Sequence, residues 1–154
     1  ECDALIIPFL VHLPVFQEKS HDAEDVAIRE MHEAGKPIWG TCAGMILLAK
    51  NIVDSEQWRL GLMDITVERN AFGRQVDSFE ADLPVKGIDS GDVRAVFIRA
   101  PFVREVDEAA GVEALATFDG KIVMCRQGNL LVNAFHPEMT DDRRVQQYFL
   151  DMIT

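Results

Sequence analysis

The sequence predicts an α/β domain built on a mixed sheet, and three observations carry that expectation. Over residues 1–50, short apolar runs alternate with helix-length segments, and at these lengths strand–helix–strand–helix implies a parallel sheet with crossover helices. From Ile65 the character changes, and short strand candidates follow one another across Gly-containing turns, as in antiparallel ribbons. A single segment of helical spacing closes the chain.

Taken in order, residues 4–7 (Ala-Leu-Ile-Ile) read as a buried strand ended by Pro8. Residues 21–34 read as a helix, with Asp22 as its cap, Val26, Ile28 and Met31 among its apolar positions, and Gly35 as its stop. Pro37-Ile38-Trp39 is a short buried strand, and residues 44–50 form a helix rich in Leu, Ile and Ala. Strand candidates follow at 65–67, 78–81, 95–98, 114–118, 121–126 and 130–135. Asp119-Gly120 is a strong hairpin turn and Gln127-Gly128-Asn129 a second one. Residues 141–153 make the closing helix, with Val145, Tyr148, Phe149 and Met152 on one face.

Composition narrows the function classes. The 154 residues suit one domain with a real core, and no Gly/Ser/Pro linker divides them, so 1–154 reads as a single domain. A hydrophobic share of 48% with 27% charged residues excludes a disordered tail. A net charge of −11 argues against a nucleic-acid binder. The longest apolar stretch, residues 4–16, is broken by Pro8, His12 and Pro14 and is too short to span a bilayer. Three cysteines without zinc-site spacing point to a reduced compartment, hence to the cytoplasm.

Gly40-Thr41-Cys42-Ala43-Gly44 stands between a short strand and an apolar helix. A nucleophile between glycines at such a junction is a nucleophile elbow: the strained turn exposes the side chain and the glycines let neighbouring backbone pass close by. The following helix N-terminus favours thiolate, and its N–H groups can face a developing oxyanion. The plainer alternative is a small buried cysteine in a tight turn. A thiolate nucleophile needs a base. His21 and His32 lie at or on an acidic helix and are most simply solvent-facing, and His12 lies in an irregular apolar stretch. His136 ends a strand and precedes Pro137-Glu138. Pro137 keeps it extended, so Glu138 can reach the same side and orient the imidazole, giving a Cys–His–Glu relay. Cys2 and Cys125 read as small buried residues. The run Arg69-Asn70-Ala71-Phe72-Gly73-Arg74-Gln75 suits recognition of a carboxylate or a partner surface, or is an ordinary polar loop, and Arg99 can present its fork at a sheet edge.

Residues 40–45 (Gly-Thr-Cys-Ala-Gly-Met), the stretch from Gly61 through Glu80, and Ala134-Phe135-His136-Pro137-Glu138 together resemble the glutaminase subunit of pyridoxal 5′-phosphate synthase, a class I triad glutamine amidotransferase. The first and third motifs are shared by many triad amidotransferases, while the run from Arg69 to Glu80 is far more specific to the vitamin B6 branch. The resemblance implies a three-layer, flavodoxin-like fold with a mixed, mainly parallel sheet, preceded by a strand–helix–strand region that this sequence lacks ahead of Asp3. It implies that Cys42 attacks the glutamine amide, that His136 acts as base and then acid, and that Glu138 orients it. Arg69, Ile98 and Arg99 would hold L-glutamine, and the N–H groups of Ala43 and Leu10 would face the oxyanion. Ammonia would pass to a separate synthase subunit in a hetero-oligomer, with no metal or cofactor in this chain and no nucleic-acid or membrane partner.

One segment departs from the family pattern. Where the family follows its proline with Gly-Gly-Glu-Ser-Thr, Pro8 is followed here by Phe9-Leu10-Val11-His12-Leu13, with the spacing to Cys42 kept. Two further readings follow: a catalytically silent scaffold of the same fold, or another cysteine hydrolase with a reshaped pocket. A glutaminase assay with and without the synthase separates the first from an active subunit, and a panel of small amides and esters addresses the second.

Overall fold

The computed structural model describes residues 2–8, 22–69 and 78–153. Strand β1 (Leu5–Ile7), helix α1 (Asp22–Glu33), strand β2 (Ile38–Thr41) and helix α2 (Ala43–Leu48) follow in the expected order. β1 and β2 pair in parallel, Leu5 opposite Ile38 and Ile7 opposite Gly40. The second parallel neighbour of β2 is β10 (Leu130–Asn133), with Asn133 opposite Thr41. All four residues of β2 and all four of β10 are buried, as two-sided cover requires.

The remaining strands are β3 (Ala49–Ile52), β4 (Met63–Glu68), β5 (Ser78–Val85), β6 (Ile88–Ile98), β7 (Phe102–Val106), β8 (Val112–Phe118) and β9 (Lys121–Gln127). The main sheet runs β1-β2-β10-β9-β7-β4-β3, with β8 also paired to β9, and β5 and β6 form a separate antiparallel ribbon. The α/β class and the mixed sheet stand. The expected predominance of parallel pairing does not: β1–β2, β2–β10 and β3–β4 are parallel, whereas β10–β9, β9–β7, β7–β4 and β8–β9 are antiparallel. For β8 and β9 the cause is local: Asp119 and Gly120 both take positive φ, 49° and 73°, the geometry that folds two strands back on each other through two residues.

The two faces of the sheet are covered differently. Trp39 packs on Phe149 of helix α3 (Arg144–Asp151), with ring centroids 5.3 Å apart. Its neighbour Gly40 points the other way, toward α2. Ile28 and Met31 of α1 gather with Leu5, Ile7 and Leu47 on that second face. The ribbon lies with α3, where Phe97 stacks on Phe79 at 4.6 Å and meets Phe135 edge-on at 5.8 Å. Such pairs contribute about 0.5–1.5 kcal/mol each beyond their buried area. The result is three layers.

Gly40 and Gly44 permit the close approach of α2 to the sheet. A Cβ on Gly44 would lie 2.1 Å from the Ile7 carbonyl oxygen, and one on Gly40 would lie 2.5 Å from the Gly44 carbonyl oxygen. Several boundaries differ from expectation. The helix expected over 44–50 stops at Leu48, because Ala49 turns extended at φ −65°, ψ 141° and opens β3. β7 was not expected, β6 is far longer than 95–98, and β10 stops at Asn133 rather than at Phe135. The last helix begins at Arg144, whose N–H donates to Asp142 Oδ1 at 3.1 Å.

Candidate active site

The elbow forms as the sequence predicts. Cys42 precedes α2 with φ 52° and ψ −104°, a positive φ rare for a side-chain-bearing residue. Its N–H donates to the Asn133 carbonyl at 2.9 Å, and its own carbonyl accepts from Met45 at 3.0 Å. The Cys42 turn is thus tied to the end of β10. Its thiol differs from expectation. Cys42 is buried, and desolvation pushes the thiol up to about 11; a hydrogen bond from the Ala43 N–H pulls the other way, and the Glu138 charge adds to the rise. The helix terminus does not win here, because α2 has only six residues and burial penalises the charged form more.

His136 lies three residues beyond β10. It is buried, extended at φ −110°, ψ 90°, and its N–H donates to the Val96 carbonyl of β6 at 2.8 Å. Its Nδ1 lies 2.7 Å from Glu138 Oε1. With Glu138 ionised, Nδ1 carries the proton and donates, which leaves Nε2 as the basic nitrogen of the neutral ring. Glu138 is half-exposed, and a cleft of ≈ 400 Å³ opens here, lined by Ile6, Trp39, Thr41, Ile98, His136 and Glu138 among others. Because β2 and β10 are adjacent and parallel, their C-terminal ends bring the Cys42 turn and the His136–Glu138 pair to one edge of the sheet. A more open hollow of ≈ 490 Å³ around Lys50, Asp64 and Glu108 holds none of the expected site residues.

The other expected residues divide. Ile98 lines the cleft, and Arg99 follows it exposed, at φ 45°. Arg69 does not line it; its Nη1 donates to Gln57 Oε1 at 2.7 Å. Arg69 directly follows β4, which lies three strands from β10, about 14 Å at ordinary strand spacing. Leu10, His12, His21 and the loop residues 70–75, Arg74 among them, lie outside the described residues. Cys2, expected buried, is exposed and donates to the Ala4 carbonyl at 2.9 Å, since it stands before β1 rather than under it. Cys125 is buried as expected, its thiol pushed up to about 12 by burial alone. His32 is half-buried rather than solvent-facing, at the end of α1 near the Asn129 side chain. Sequence reading passed over Asn133, although an amide inside the apolar run Leu130–Phe135 was its signal. No helix among the described residues is long and apolar enough to cross a membrane, and none of their His, Cys, Asp and Glu groups forms a metal-holding cluster.

Comparison with known proteins decides the family. Residues 1–154 match the SNO glutamine amidotransferase family. The chain belongs to that family. A pyridoxal 5′-phosphate synthase subunit PdxT from Moorella thermoacetica is 60% identical over 126 residues, covering 82% of this chain and 66% of that protein. The PdxT protein of Desulforudis audaxviator is 54% identical over 155 residues, covering 99% of this chain and 80% of its own length. A crystal structure of a glutamine amidotransferase superposes with a TM-score of 0.82 at 44% identity, covering 98% of this chain and 79% of that one. The glutaminase domain of a Trypanosoma brucei CTPS shares the fold, with a TM-score of 0.64 at 16% identity. The flavodoxin-like amidotransferase architecture therefore stands, and this chain spans 61% to 80% of the length of the curated relatives it matches.

Proposed function

We propose that this amidotransferase hydrolyses L-glutamine to glutamate and ammonia, and that the ammonia passes to a synthase subunit making pyridoxal 5′-phosphate. Residues 1–154 act in this as one cytoplasmic glutaminase domain working in a hetero-oligomer. The observation that carries the reading is the arrival of Cys42 and of the His136–Glu138 pair at the C-terminal ends of adjacent parallel strands. Cys42 is the nucleophile. His136 takes its proton, and the resulting thiolate attacks the side-chain amide carbon to give a tetrahedral oxyanion facing the Ala43 N–H. The protonated His136 then gives that proton to the leaving ammonia, and the C–N bond breaks to leave a glutamyl thioester. Water, deprotonated by His136, hydrolyses the thioester and restores the thiol. Glu138 holds the ring and stabilises its charged form. A thiol held high by burial makes this proton transfer to His136 a required step. Ile98 and Arg99 border the glutamine. The test is glutaminase turnover with and without the synthase: Cys42→Ser abolishes both, and activity surviving that change overturns the reading. The loop from Arg69 to Gln75 carries part of the synthase contact, so charge reversal at Arg74 weakens co-elution of the two subunits.

A second reading rests on Phe9-Leu10-Val11-His12, which stand where the family carries Gly-Gly-Glu-Ser. Glycines adopt positive φ and can turn an N–H into an oxyanion site; Phe9 and Leu10 meet a steric cost there, and Val11 offers no polar group. Losing one oxyanion donor costs about 10²–10³ in rate, so the chain with this segment is a poor glutaminase and serves more as a scaffold. Restoring the four family residues together, in a chain extended to the length of its relatives, raises turnover at least about tenfold. Equal turnover before and after restoration removes the scaffold reading.

A further inference from the structure

Asn133 is fully buried, and it touches both halves of the site. Its side-chain Oδ1 accepts the indole N–H of Trp39 at 2.5 Å. Its Nδ2 donates to the Phe135 carbonyl at 2.6 Å. Its own backbone carbonyl accepts the Cys42 N–H at 2.9 Å. β10 ends at this residue, and the chain bends at Ala134 and Phe135 before delivering His136. The side chain of Asn133 spans that bend, joining the last strand residue to the carbonyl just before the histidine.

A buried strand position is ordinarily filled by an apolar side chain, as Leu130, Leu131 and Val132 are. A polar group here is stable only because both ends of its amide are satisfied. The chemistry is specific: one short side chain must accept from the indole and donate to a carbonyl at once. Leucine does neither, and serine does not span the bend. Trp39 in turn is held by Phe149, so the amide is aimed by a packed ring rather than by solvent.

We infer that Asn133 is a positioning residue, whose amide fixes His136 relative to Cys42 by clasping the bend between them. The inference rests on the Cys42–His136 relay proposed above. It adds that the relay geometry depends on a side chain that touches neither reacting atom. A displacement of about 1 Å in a reacting group can cost about 10²-fold.

The test follows alkylation of Cys42 by iodoacetamide at fixed pH, counted per folded molecule by mass spectrometry, so that lost fold does not read as lost reactivity. Asn133→Ala slows Cys42 alkylation at least about tenfold when His136 is present, and less than about twofold in a His136→Ala background. Trp39→Phe removes only the indole donor, keeps a ring against Phe149, and slows alkylation in the same direction by a smaller factor. If Asn133→Ala does not fold, the same two-background comparison is read from Trp39→Phe. Equal slowing in both backgrounds, or none, overturns the inference. If His136→Ala slows alkylation and neither Asn133→Ala nor Trp39→Phe does, the inference falls and the relay stands. If His136→Ala itself changes nothing, the relay falls and takes the inference with it.

Discussion

Gly44→Ala is the sharpest test of how the elbow is packed. In an ordinary helix, replacing Gly by Ala stabilises by about 0.5–1 kcal/mol. Here the added Cβ would sit 2.1 Å from the Ile7 carbonyl oxygen, 3.0 Å from its carbon and 3.2 Å from the Ile7 Cβ. Contact needs about 3.5 Å, so β1 and α2 must part by about 1.4 Å. The obstacle is backbone on both sides, and no rotamer change relieves it. Over-packing costs about 1–3 kcal/mol when side chains can yield, so a cost of about 3 kcal/mol is expected, reversing the sign of the helix effect. At about 2–4 °C per kcal/mol for a chain of this size, Tm falls by roughly 6–12 °C. Thermal unfolding followed by circular dichroism measures it. Gly35→Ala is the control: no atom lies within 4 Å of its Cβ position, and only its φ of +75° penalises the change. A Tm for Gly44→Ala equal to or above the parent would refute the reasoning, because it would mean that β1 and α2 yield freely.

Three further outcomes are expected. With its thiol held near 11, Cys42 alkylation climbs with pH throughout the neutral and mildly alkaline range, because the thiolate fraction rises about tenfold per unit below the pKa; a plateau below pH 8 would contradict the burial argument. Replacing both His136 and Glu138 costs little more turnover than replacing His136 alone, as members of one relay behave, whereas fully multiplicative losses would separate them. Asp142 is held near 2, below its ordinary 3.8, chiefly by the Arg144 side chain. A depressed carboxyl stabilises the fold above its unfolded pKa and loses that contribution as pH falls through the folded one, so the Tm gap between parent and Asp142→Asn closes between pH 4 and 2, and a constant gap would count against it.

What was legible in the sequence was local. Gly40 and Gly44 around Cys42, Pro137 after His136, and the Asp119-Gly120 pair each fix backbone within a few residues, and each formed as expected. What was not legible depends on distant partners. β3 keeps only Ala49 and Ile52 buried, and β7 only Val103, so neither shows the alternation that marks a strand. Ile88 to Asp92 of β6 lies half-buried or exposed, with no apolar alternation to announce it as strand. The Cys42 thiol could not be read from its helix terminus, because its burial is set by elements brought from elsewhere in the chain. Asn133 was hidden for the same reason: its partners are Trp39, ninety-four residues earlier in the chain, and the bend it spans.

The placement of His136 shows how the antiparallel part of the fold serves the parallel part. β2 and β10 end side by side, which gives the crevice that parallel strands provide at their C-terminal edge. A crevice alone does not set the height of a histidine standing past the strand end. The ribbon does this through the Val96 carbonyl, which accepts the His136 N–H. The start of β6 is itself anchored: all five N–H groups of Arg144 are engaged, by Asp142 at Oδ1 and Oδ2, Ser90 Oγ, and the carbonyls of Gly91 and Asp92. Arg144 stands eight residues after His136, so the chain leaving the histidine returns to hold the strand that holds the histidine. That closed circuit, rather than the length of any one strand, ties the His136 backbone in place past the end of β10.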